Sequence, residues 1–176
     1  MIKPDLIIGP RDAPQTLRWH IFNLFGWQFA IHKWLRSDSD RAPHDHKADN
    51  VSVIFNGGYF ETIREWYDGD ADPLTLSDGT WEHAGEGEYY RDVTRFRWPL
   101  VPYFRKAETL HRVSLPSDGK PVWTLWIRGP QRREWGYWCD NRGWVHNEVY
   151  NKKADYYAEG ISEVGQGLRL TRSTTT

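Results

Sequence analysis

Only one cysteine, Cys139, occurs in the 176-residue chain, so no intrachain disulfide can staple the fold. Methionine is equally scarce, with one residue. No uninterrupted apolar stretch approaches the ~20 residues that a membrane-crossing helix needs, and no charged-then-apolar leader opens the sequence. These absences lead us to expect a protein of the reducing cytoplasm with no membrane partner. Neither sign of charge predominates, because 23 Lys and Arg face 24 Asp and Glu for a formal net charge of −1. A whole-chain basic field able to hold nucleic acid is therefore excluded, and no nucleic-acid partner is expected.

What the chain has in quantity is aromatic side chains, eleven Trp, nine Tyr and seven Phe, or 15% of all residues. That composition favours strands over helices. The length suits a single domain, 1–176 with its core in about 16–150, large enough to bury a sizeable interior.

Strands and turns follow one another along the chain. Thr16 to Phe22 and Phe25 to Leu35 alternate apolar and polar residues around Asn23-Leu24-Phe25-Gly26, the pattern of an early hairpin. Val51 to Phe55 and Tyr59 to Trp66 flank Gly57-Gly58 as a second, and His111 to Leu115 and Val122 to Arg128 flank a Pro-Ser-Asp-Gly-Lys-Pro turn as a third. Tyr89 to Trp98 alternates rings with charges before Pro99 and reads as an edge or exposed strand. Asp68 to Thr80 reads as loops and turns, Lys152 to Glu163 as the only helix, and Ser173 to Thr176 as a frayed end. Many short strands with turns between them predict an all-β sandwich or barrel.

The chemistry concentrates in Pro43-His44-Asp45-His46, just before the Val51 to Phe55 strand. In an extended chain alternate side chains share a face, so His44 and His46 project together and Asp45 projects oppositely. Two imidazoles on one face make half a metal site. His111 opens a later strand and supplies a third nitrogen if that strand lies beside the first.

This layout resembles the cupin superfamily, whose first motif runs His-x-His, then an acid, then a Gly. In this chain Asn50 stands three residues past His46 and six before Gly57, where the acid would be, and Asp49 is one residue out of register. Asp49 enters the ligand set only through a local bulge, and Glu61 lies beyond the turn as a fourth ligand or as a hydrogen-bond acceptor behind the ligands. The closer resemblance is to uncharacterised cupin-like proteins of bacteria and phages, which carry Leu-His-Arg-Trp, Arg-Ser-Asp-x-Asp, His-Asp-His and Gly-Gly-Tyr-x-Glu in series. The corresponding segments here are Ile31-His32-Lys33-Trp34, the run from Arg36 to Asp40, His44-Asp45-His46 and Gly57 to Glu61.

The resemblance implies a cupin-like double-stranded β-helix, or jelly-roll barrel, with N-terminal strands and a short C-terminal helix. It further implies a divalent metal ion, Fe, Mn, Ni or Zn, on His44, His46 and His111 with Asp49, and a mononuclear oxygenase or isomerase acting on a small molecule. A 2-oxoglutarate oxygenase is disfavoured, since its pattern places a carboxylate where His46 stands. Tyr59 and Arg128 are the candidate catalytic residues. Tyr59 would act as an acid opposite a His-Asp base, as in cupin-like epimerases, and Arg128 with Arg112, Arg132 and Arg133 would hold a carboxylate or phosphate. Arg36, Asp38, Asp40 and Arg41 are expected to form an ion-pair network fixing the approach to His44, and His20, His32, His83 and His146 to be structural or surface residues. The competing reading is a non-catalytic cupin module that binds a small ligand or a protein partner, with His44 bonded to Asp40 or Asp45. A homodimer formed through the early hairpin is also expected.

Overall fold

Alternation of inward and outward side chains builds twelve strands in the computed structural model, which describes residues 2–9, 12–38, 42–67, 69, 81–85, 88–139 and 142–152. In chain order they are β1 (Leu6–Ile8), β2 (Thr16–Leu24), β3 (Trp27–Trp34), β4 (Asn50–Asn56), β5 (Tyr59–Trp66), β6 (Glu82–Gly85), β7 (Glu88–Arg97), β8 (Pro102–Arg105), β9 (His111–Ser114), β10 (Val122–Arg128), β11 (Gly136–Cys139) and β12 (Gly143–His146). Among the described residues one helix, α1 (Asn147–Lys152), follows. The strands form a six-stranded sheet in the order β1-β2-β3-β10-β4-β8, a four-stranded sheet in the order β6-β7-β5-β9, and the ribbon β11-β12.

The early hairpin forms as expected. β2 and β3 pair antiparallel, with Leu24 opposite Trp27 across the two-residue turn Phe25-Gly26. Both turn residues have positive φ, 47° and 81°, as a type I′ hairpin requires.

The second and third expected hairpins do not form. β4 pairs with β10 and β8, while β5 pairs with β7 and β9, so Gly57-Gly58 carries the chain from one sheet to the other. Gly57 adopts φ +72°, and a Cβ on Gly58 would lie 2.3 Å from Phe96 Cζ and 2.8 Å from the Arg97 carbonyl oxygen. The crossing thus needs one residue with left-handed backbone and one with no side chain. β9 and β10 likewise belong to different sheets. β7, expected as an edge or exposed strand, is flanked by β5 and the short β6, but β6 pairs only with Glu88 to Tyr90, so among the described residues Arg91 to Arg97 pair with β5 alone and leave Asp92, Thr94 and Arg95 exposed. The expected loops at Asp68 to Thr80 lie almost wholly outside the described residues, as does the expected helix beyond Lys152, and the frayed end from Ser173 to Thr176 lies outside them too.

Between the two sheets Ile54, Tyr59, Val113 and Val122 form a buried cluster, against which Trp34, Tyr103 and Leu115 pack. These residues come from both sheets, so burying them holds the layers together. Each side chain of this size contributes about 1.5–3 kcal/mol on full burial. Beside this cluster, towards β11, the layers part around a cavity of about 710 Å³ lined by residues of both sheets.

Candidate metal centre

The segment Pro43 to His46 threads between β9 and β11. His44 N–H donates to the His111 carbonyl at 3.1 Å, and His111 N–H donates back to the His44 carbonyl at 3.0 Å. On the other side Asp45 N–H donates to the Gly136 carbonyl at 3.1 Å, and Trp138 N–H donates to the Pro43 carbonyl at 2.8 Å. This pairing imposes the two-residue alternation expected from the sequence. Asp45 points away from the cavity, where its buried carboxylate accepts from Gly136 N–H at 2.7 Å, Arg133 Nη1 at 2.6 Å and Trp144 Nε1 at 2.9 Å. It locks the strand in register and is not a base partner for either neighbouring histidine.

His44 and His46 meet His111 on the cavity side, each residue offering one nitrogen within 4.8 Å of the others. His46 Nε2 and His111 Nε2 are 2.7 Å apart. His111 Nδ1 lies 2.7 Å from Glu61 Oε1, so a proton on Nδ1 donates to that carboxylate and leaves the Nε2 lone pair facing His46. Glu61 is fully buried and joins the sheets, accepting from Arg97 Nε of β7 at 2.6 Å and from Arg105 Nε of β8. Arg105 reaches on to Ser52 Oγ at 3.2 Å and Tyr59 Oη at 3.1 Å. Behind His44, the buried Asp38 accepts from Val113 N–H, and its second oxygen stands 3.9 Å from His44 Nδ1.

These surroundings set the protonation states. Burial, reinforced by neighbouring cations and imidazoles, holds His46 well below the ordinary histidine value. Burial also lowers His111, against the opposing pull of Glu61. Both rings are therefore neutral at pH 7 and keep a lone pair free for a ligand. Burial on its own would raise the Glu61 carboxyl, but the His111 and Arg105 contacts outweigh it and hold the group well below the usual carboxylate range. Tyr59 is pushed up, chiefly by burial, and stays a phenol.

Two imidazole nitrogens sharing a first-row ion at ~2.1 Å each stand roughly 3 Å apart, so the 2.7 Å pair is a few tenths of an ångström from that separation. Three neutral nitrogens around one point, one of them oriented by a carboxylate, fit a divalent ion.

The other expected residues are distributed as follows. Tyr59 and Arg128 line the cavity. Asp49 does not join the cluster. Its half-exposed carboxylate accepts from Arg132 Nη2 at 2.7 Å and Ala107 N–H at 2.8 Å, and no bulge turns it inward. Glu61 is the acceptor behind His111, and the carboxylate closest to His44 is that of Asp38, with Asp40 and Arg41 outside the described residues. Of the four arginines grouped by sequence only Arg128 reaches the cavity. Arg112 faces Asp92, Arg132 holds Asp49 and Glu108, and Arg133 holds Asp45. His20 and His146 pair with Asp5 and Glu134 at the surface, and the His83 backbone lies in β6 opposite Tyr89. His32 is buried, and its Nε2 accepts from Arg18 Nε at 2.8 Å. Sequence reasoning missed Arg18, Arg97 and Arg105. The alternation of β2 puts Arg18 on the same face as Thr16, but it does not say that this face looks into a cavity.

No family model matches the sequence, and no curated protein matches it. Among solved structures, a cupin-2 domain from Rhodospirillum rubrum superposes with a TM-score of 0.50 at 11% identity, over 93% of this chain and 87% of that one. A DMSP lyase from Ruegeria pomeroyi superposes at 0.46 and 11% identity, over 78% of this chain and 59% of that one. The hydroxypropylphosphonic acid epoxidase from S. wedmorenis superposes at 0.43 and 8% identity, over 73% and 58%. The chain thus spans under two thirds of the two enzymes' lengths. Its fold is the cupin jelly roll.

Proposed function

We propose that this chain is a mononuclear metal protein in which His44, His46 and His111 hold a divalent first-row ion beside a cavity that admits a small molecule. The observation that carries this reading is the convergence of three imidazole nitrogens within 4.8 Å, with His111 held by the buried Glu61. An ion held by His44, His46 and His111 would supply Lewis-acid or oxygen-activating chemistry of the kind used by isomerases and oxygenases. The chain's own residues do the rest. Glu61 keeps the His111 proton on Nδ1, the paired strand backbones fix His44 opposite His111, and the Trp135 and Tyr137 rings pack beside His44 to restrict water. Tyr59 Oη accepts from Arg105 Nη2 at 3.1 Å, which holds its phenol at the cavity wall.

A second reading draws on the same short His46–His111 contact. As a plain N–H···N hydrogen bond it would make the histidines structural members of a ligand-binding module. Titrating Co²⁺ into chelator-treated protein, followed by visible absorption, separates the two. We expect saturation near one equivalent in the wild type and no saturable band in His46→Ala. A wild type that develops no band at all would leave the binding-module reading in place.

A further inference from the structure

Buried polar atoms in folded proteins nearly always have partners, so an exception asks for an explanation. Among the described residues five buried side-chain polar atoms have none, and four of them belong to residues lining the histidine cavity: Thr16 Oγ1, Trp34 Nε1, Asn50 Nδ2 and Arg128 Nε. All four are donors or can act as donors. Among the described residues the charges lining the cavity are mostly positive: Arg18, Lys47, Arg105 and Arg128 face it against Asp38, and Arg105 is already matched by Glu61.

Arg18 and Arg128 have no carboxylate partner among the described residues. Arg18 spends its Nε on His32 and lies over the Trp126 ring, 4.5 Å from the centroid, which leaves its terminal nitrogens uncommitted. Burial and the nearby Arg128 lower Arg18 to about 10, so the two guanidiniums are close enough to repel each other and remain charged at pH 7. Strand register puts them on one face of the sheet, in rows four residues apart: the row of Arg18 and His32 meets β10 at Thr124, and Arg128 lies four residues further along β10. Arg18 is opposite His32 across β2 and β3, and Arg128 of β10 is opposite both Gln28 and Asn50. Two half-buried like charges on one cavity, one of them with a buried unpartnered Nε, repel each other, and a bound anion would answer both.

We infer that Arg18 and Arg128, with Asn50, form an anion-binding subsite in the histidine cavity, and that the protein's small-molecule ligand carries a compact oxyanion, a carboxylate or a phosphoryl group. Guanidinium forks match the paired oxygens of either group. The inference rests on the metal reading only for the ligand's direction, with its anionic end at the arginines and its remainder towards the histidines.

The test titrates inorganic phosphate and, separately, propionate into the chelator-treated full chain at fixed sodium chloride, by calorimetry. Saturable binding of at least one anion is expected, and the stronger of the two identifies the group. Affinity should fall at least roughly tenfold in Arg18→Gln and in Arg128→Gln and stay unchanged in Arg112→Gln, whose arginine faces Asp92. Because Arg18→Gln gives up a hydrogen bond to buried His32, a measurement on the wild type accompanies it. Phenylglyoxal labelling of Arg18 and Arg128, mapped by mass spectrometry, should be suppressed by the bound anion while Arg112 labels normally. Absence of binding by both anions, undiminished binding in the two variants, or labelling unaffected by anion would each overturn the inference. Both arginine variants should still take up Co²⁺. Anion binding in a protein that takes up no metal would sink the metal reading and leave this one standing, and metal uptake without anion binding would do the reverse.

Discussion

Glu61 is the residue on which most of the site depends, since its carboxylate meets His111, Arg97 and Arg105 at once in a fully buried position. Glu61→Gln removes the charge and keeps the shape. It should weaken Co²⁺ affinity by about 10–100-fold through loss of the acceptor behind His111. Because it strands two guanidiniums it should also lower unfolding stability by about 3–5 kcal/mol in urea denaturation. Unchanged metal affinity would show that His111 needs no such support. Much at this scale could be read from the sequence. The spacing of His44 and His46 specifies a shared face, and the strand pairing enforces it. The role of Glu61 was open between ligand and acceptor because the sequence does not say which strand lies beside β9. Asp49 stands outside the histidine cluster because Ala107 and Arg132, distant in sequence, offer it donors away from the cavity.

At the level of elements, the β4-to-β5 crossing is the most demanding local feature. Gly58→Ala would drive a Cβ towards the Arg97 carbonyl and the Phe96 ring, so we expect a loss of about 1–3 kcal/mol, read as a lower melting temperature, with the secondary-structure content kept. A melting temperature equal to wild type would mean that β7 shifts freely. The strands themselves were legible from alternation and turn residues, as β2 and β3 show. Their partners were not. A Gly-Gly turn reports that the chain reverses, and it carries no information on whether the next strand returns to the same sheet or crosses to the facing one. Both Gly57-Gly58 and the segment between β9 and β10 cross. The same limit concealed Arg18, which becomes a cavity residue only once β10 is placed beside β3.

Taken whole, the molecule encloses several ionisable groups between its sheets, and this makes its stability depend on pH. Burial holds His32, His46 and His111 below their ordinary 6.5. Between the folded values and 6.5 the unfolded chain binds protons that the folded chain refuses, so unfolding free energy rises with pH and this contribution is complete above 6.5. Metal-free protein should therefore lose stability as pH falls from 6.5 towards 5, by up to about 1.4 kcal/mol per pH unit for each histidine. His32→Gln should flatten that slope, and a slope equal to wild type would assign the acid sensitivity elsewhere. The central claim is tested most directly by elemental analysis of protein purified without a metal-affinity column, comparing wild type with His44→Ala and His111→Ala. We predict nearly one equivalent of a first-row divalent metal in the wild type and its loss from both variants. Metal retained in either variant, or a metal-free wild type that also refuses added iron and zinc, would contradict the account.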